Sequence, residues 1–205
     1  MSDAIGDRLA MTLPDGREIS LLAPDPALIE LRDVALGLSR QFRWGGFGRR
    51  CITVAEHCVM AAQAAIRWDL GYTVAAKALL HDAHEFLVRD VSPGMKRVLP
   101  EYEVLAGRVQ EAVERAFGVE PPTAEEARAI KEIDEALRLK EVREGYGPQV
   151  DLGLGDVCLE GLPAIIGFQP EGAAEAFVEL AGILGVGRRG PGGSVRVILD
   201  KRRFV

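Results

Sequence analysis

The sequence predicts an all-α fold, a helical bundle carrying a small N-terminal β-hairpin. Three observations predict it. Apolar residues recur at helical spacing in successive stretches from about residue 26 to residue 185. Near the N-terminus, Pro14-Asp15-Gly16 supplies turn chemistry between two short apolar runs. The chain has 205 residues, 48% of them hydrophobic, which is enough for one sizeable core, and it contains no internal repeat.

The hairpin is expected over residues 9–22. Leu28, Leu31, Val34, Ala35 and Leu38 then mark a first helical face. Residues 43–50, RWGGFGRR, form a loop rich in glycine and arginine. Further helices are expected at about 53–68, 72–88, 101–117, 123–144 and 170–185. Asp69 to Gly71, Ser92-Pro93-Gly94, Gly118 and Pro121-Pro122 punctuate the gaps. Thr123 with Glu126 has the spacing of a capping box. Residues 1–186 are read as a single domain. Residues 187–205 are read as a Gly-rich basic tail, in which a flexible linker leads to a short strand.

Composition narrows the function. A net charge of -6 argues against a nucleic-acid backbone as the main ligand. Cys51, Cys58 and Cys158 form no C-x-x-C pair, so a disulfide scaffold is not expected and a cytoplasmic setting is. The N-terminus lacks a basic start followed by an apolar core, so no signal peptide is expected. No apolar run approaches the ~20 residues that cross a bilayer, so no membrane partner is expected either.

The chemistry concentrates in ALLHDAHEFLVRD, residues 78–90. On a continuous helix His81, His84 and Glu85 share one side, and Asp82 lies about 100° round from His81. Imidazole with carboxylate suits several divalent metals, and two ligands are too few. His57 lies among Ala, Val and Met on its helix, and Asp134 shares the apolar face of Ile130 and Leu137. A carboxylate facing a core has to be neutralised, paired or metal-bound. Singly, His57 reads as a hydrogen-bonded core histidine and Asp134 as a salt-bridge partner. Together, three helices each offer polar ligands on an otherwise apolar side.

The ordered set H…HD…D resembles the HD-domain superfamily of metal-dependent phosphohydrolases. TVAEHCVMAA followed by ALLHDAHEFLVRDVSPGMK is similar to the small 5'-deoxynucleotidase-like branch, including its phage-type members. The resemblance runs from the hairpin to about residue 145. It implies an HD-domain helical bundle in which His57, His81, Asp82 and Asp134 hold one divalent metal ion, whether Co, Mn, Zn, Fe, Ni or Mg. It implies that Glu85 positions or activates the attacking water and that Asp90 lies near the scissile phosphate. Arg43 resembles a phosphate-binding arginine, Trp44 a sugar-contacting tryptophan and Lys96 a phosphate-side lysine. The branch commonly has a small residue where this chain has His84, which reads either as a solvated helix residue or as an extra polar contact at the pocket. Trp44 reads equally as a stacking surface and as a hydrophobic plug for its loop.

The expected function is hydrolysis of a small-molecule nucleotide, a 5'-deoxynucleotidase reaction. A triphosphohydrolase of the phage-type branch and a non-catalytic metal-bearing nucleotide-binding protein are the alternatives. The resemblance also implies a homodimer or larger homo-oligomer.

Overall fold

In the computed structural model, residues 9–147, 150–155 and 157–187 are described; they are mostly helical, with one small two-stranded antiparallel sheet. Strands β1 (Ala10–Thr12) and β2 (Glu18–Ser20) pair with Met11 opposite Ile19. Gly16 takes φ 87° in the turn, a conformation that Gly adopts without steric cost. Ile19 is fully buried, and Arg17 ties the turn to the next helix through Asp15, Asp33 and the carbonyl of Leu28.

A 3-10 turn at Pro26–Leu28 leads into α1 (Leu31–Ser39), whose buried face is Val34, Ala35 and Leu38. Helix α2 (Val54–Arg67) is the centre of the molecule. It is buried on nearly all sides, as expected of a helix that is apolar all round. Ala55, Ala61, Ala62, Ala64 and Ala65 are fully or almost fully buried, and these small side chains allow neighbouring helices close approach. Around α2 pack α1, α3 (Tyr72–Leu80), α7 (Ala124–Gly145) and α8 (Pro170–Ile183). Helix α6 (Pro100–Phe117) ends at Gly118, which takes the left-handed conformation at φ 67°. Helix α7 starts with the expected capping box between Thr123 and Glu126.

One predicted helix is interrupted. The segment 72–88 divides into α3, a tight turn over 81–84, and the short α4 (Glu85–Val88). The cause is Gln110 on α6. Its Nε2 donates to the carbonyl of Leu80, and its Oε1 accepts from the backbone N–H of His84, so one side-chain amide occupies both ends of a helical i→i−4 bond. The backbone tightens to i→i−3 bonds, with the N–H of Ala83, Glu85 and Phe86 donating to Leu80, Asp82 and Ala83.

A second short helix, α5 (Pro93–Lys96), follows the Ser92-Pro93-Gly94 punctuation. Between α4 and α5, Arg89 takes φ 75°, a sharp reversal that directs the chain toward Asp90. The predicted tail beyond Gly187, with its strand, lies outside the described residues. Among the described residues no helix is long and apolar enough to cross a membrane.

Candidate metal centre and its cavity

His57 enters the site from the middle of α2, where it is completely buried. Its Nδ1 lies 2.7 Å from Glu141 Oε1. Burial alone would raise the Glu141 carboxyl, but the charges of Arg43 and His57 bring it down to about 2. Glu141 is therefore an ionised acceptor, and His57 Nδ1 carries the hydrogen. His81 Nδ1 lies 2.8 Å from the carbonyl of Ala78, which can only accept, so this nitrogen carries a hydrogen too. These bonds assign both tautomers and leave both Nε2 atoms as lone-pair donors.

The two Nε2 atoms face each other at 3.3 Å. Asp134 Oδ1 is 3.1 Å from His57 Nε2, and Asp82 Oδ2 is 3.2 Å from His81 Nε2 and 3.8 Å from His57 Nε2. All four ligand atoms lie within 4.8 Å of one another. Metal–N and metal–O bonds of about 2.0–2.2 Å place neighbouring ligands roughly 3.0–3.5 Å apart. The donor set and its spacing fit a single divalent cation. Four converging lone pairs repel one another until something positive stands between them. Without a metal the same field attracts protons: burial opposes protonation of His81, but Asp82 and Asp134 override it and raise the imidazole to about 9.

Glu141 was missed in the sequence, although a signal was present. Asp134, Arg138 and Glu141 follow one another at i, i+4 and i+7 and so fall on one face of α7. Glu141 orients the His57 ring through Oε1, the kind of outer contact that fixes a ligand's tautomer. Its Oε2 accepts from Arg43 Nε at 2.8 Å and from Trp44 Nε1 at 2.9 Å.

That arrangement changes the reading of Arg43. The guanidinium is nearly buried, bonded to Glu141, and lies 3.6 Å from Asp82 and 3.8 Å from Asp134. Its charge is largely matched by three carboxylates. Trp44 is half-buried, meets Tyr146 edge-on, and sits at φ 60° and ψ 25°, in the left-handed region that bulky residues rarely occupy. The loop that carries both residues is closed at its base by backbone bonds from Arg43 to Ile52 and from Val54 to Gln41.

A cavity of about 350 Å³ borders the cluster. Asp82 and Asp134 line it from the cluster itself, as do Glu85, Asp90 and Lys96. Arg43, Trp44, Ser92 and Arg138 complete the polar lining. Every site residue predicted from the sequence except His57 and His81 thus faces this one cavity, and those two meet it through the cluster. Asp90 is held by its backbone N–H donating to Gln41 Oε1, while Gln41 Nε2 donates to the carbonyl of Glu85. Glu85 is almost wholly buried, with Lys96 Nζ 3.6 Å from Oε1, and its Oε2 has no partner among the described residues. Burial, reinforced by repulsion from Asp82 and Asp90, raises this carboxyl to about 9.

His84 is half-buried rather than solvated, and its Nδ1 lies 3.2 Å from Gln110 Oε1. Another cavity of about 310 Å³ touches His81 and Asp134. A larger one, about 820 Å³, lies apart from the cluster beside Pro14, Leu36 and Val178.

No protein-family model matches the chain. Over 160 residues, the chain is 29% identical to the uncharacterized protein YfdR of Escherichia coli (strain K12), an alignment that spans 74% of this chain and 82% of that one. It is 35% identical over 125 residues to an uncharacterized protein of Rhodobacter capsulatus, spanning 58% of this chain and 64% of that one.

Proposed function

We propose that the protein is an HD-domain metal-dependent phosphohydrolase that releases phosphate from nucleoside monophosphates, with 2'-deoxynucleotides preferred. The observation that carries this reading is the convergence of four metal-suited donor atoms beside a cavity lined by both carboxylates and cations.

His57, His81, Asp82 and Asp134 would hold a divalent ion, which when bound would supply Lewis acidity to a phosphoryl oxygen and to water. The chain's own residues do the rest. Glu85 Oε2, buried and unpartnered among the described residues, is the atom that accepts and returns a proton. Burial, and after it the charges of Asp82 and Asp90, keep Glu85 protonated in this structure, so the charge carried at Asp82 bears on how readily Glu85 gives up its proton. Lys96 sits at the other Glu85 oxygen, and Asp90 is oriented by Gln41 toward the same cavity.

The charges around the cavity favour one phosphoryl group. Among the charged residues that line it, with Glu85 ionised as a base must be, Asp82, Glu85, Asp90 and Asp134 outnumber Arg43, Lys96 and Arg138 by one charge. A divalent ion leaves a small positive balance, suited to a phosphate dianion and well short of a triphosphate. The volume agrees, since about 350 Å³ lies at the small end of ligand pockets.

The test is phosphate release from ribo- and deoxynucleoside mono-, di- and triphosphates, with metal content measured on the same preparation. Release from a deoxynucleoside monophosphate with about one metal ion per chain is expected. Metal-loaded protein that releases phosphate from none of them overturns the reading.

A further inference from the structure

Three cations line the cavity beside the cluster, and two of them are engaged. Arg43 is bonded to Glu141 and faces Asp82 and Asp134. Lys96 lies 3.6 Å from Glu85 and 5.4 Å from the centre of the Tyr102 ring. Arg138 makes no ion pair or hydrogen bond among the described residues, although it is half-buried and lines the same cavity. It stands four residues after Asp134 on α7, so the two side chains are neighbours on one helical face. Its guanidinium is thus available to an anion that enters the cavity.

We infer that Arg138 is the anion-binding residue of the cavity, taking the substrate's phosphoryl oxygens through paired N–H donors. Arg43, by contrast, is held through its Nε by Glu141 at 2.8 Å. The fork of an arginine suits a tetrahedral oxyanion better than an ammonium does, because two parallel N–H bonds fix orientation as well as charge. The inference deepens the phosphohydrolase reading and rests on it for the identity of the anion.

Inorganic phosphate is the probe, titrated calorimetrically into the metal-loaded full chain. Arg138→Gln is expected to weaken phosphate binding about 10- to 100-fold, the range of a charged hydrogen-bonding contact, with metal content retained. Arg138→Lys keeps the charge but not the fork, and is expected to lose about 3- to 10-fold. If Arg138→Gln lowers metal content, Arg138→Lys carries the test. Arg128→Gln removes an equal charge from an exposed position on α7 and is expected to change nothing. Phosphate affinity within twofold of the parent in both Arg138 variants overturns the assignment, as does equal weakening in Arg128→Gln. Failure of the two ideas is separable. Phosphate bound through Arg138 without hydrolysis of any nucleotide leaves the site and removes the function. Hydrolysis with phosphate affinity indifferent to Arg138 does the reverse.

Discussion

At the scale of single residues, Glu85 carries the sharpest expectation. Glu85→Gln keeps the size of the side chain and removes the proton acceptor. Turnover is expected to fall by about 10²-fold or more while metal content and phosphate affinity stay near the parent's. Near-normal kcat would take Glu85 out of the chemistry. The same residue shapes the response of the metal-free protein to pH. Its folded pKa of about 9 stands above the ordinary 4.5, so between those values the folded state holds a proton that the unfolded chain releases. His81, at about 9 against an ordinary 6.5, also holds its proton longer when folded. Both contributions weaken the folded state as pH rises, so the melting temperature of metal-free protein is expected to fall from pH 7 to pH 9. An unchanged or rising melting temperature over that interval would contradict the field described at the cluster. Trp44 bears on sugar choice. Trp44 lines the cavity wall, and on the proposed reading a ribose packed against it would leave its 2'-hydroxyl without a partner, at a cost of about 1–3 kcal/mol. Trp44→Ala is therefore expected to narrow the gap between deoxy and ribo substrates, and equal rates on dAMP and AMP for the parent would defeat the idea.

At the scale of elements, α1 and α4 meet at a glycine. A Cβ on Gly37 would stand 2.9 Å from Phe86 Cβ and 3.1 Å from the Phe86 backbone, so Gly37→Ala must push the two helices apart. A loss of about 1–3 kcal/mol is expected, measurable by chemical denaturation. Because Gln41, two residues past α1, holds both Glu85 and Asp90, kcat should fall with it. A stable Gly37→Ala protein would mean that the contact yields freely. This is also where the sequence was hardest to read. The helices were legible because apolar periodicity and capping are local, as Thr123 and Glu126 illustrate. The break at 81–84 was not, because the group that causes it, Gln110, lies thirty residues further on. Glu56 likewise serves a segment far from it in sequence. Thr53 and Glu56 have capping-box spacing, yet only the Thr53 half forms. The Glu56 carboxylate instead accepts from the backbone N–H groups of Ile166, Gly167 and Phe168, fastening the segment before α8 to the central helix.

At the scale of the whole molecule, the candidate metal ligands were legible because they are rare polar residues in otherwise apolar segments, and α2, the turn that follows α3, and α7 bring them together. The division of labour among the cations was not legible, since Arg43 is engaged by Glu141 from a helix nearly a hundred residues away. Loading the cluster should stabilise the entire fold, because its ligands come from separate segments of the chain. At a hundredfold excess over Kd the gain is about 2.7 kcal/mol, or roughly 5–10 °C in melting temperature for a chain of this size. Unchanged melting on addition of Mn, Co or Zn would argue against a resident ion. Glu141 gives that coupling a direction. One of its oxygens holds His57, a candidate metal ligand, and the other holds Arg43 and Trp44 of the loop, so the two grips share one carboxylate. Thermodynamic reciprocity then requires that any substrate able to settle this loop tightens the hold on the ion by the same factor by which the ion tightens the hold on substrate.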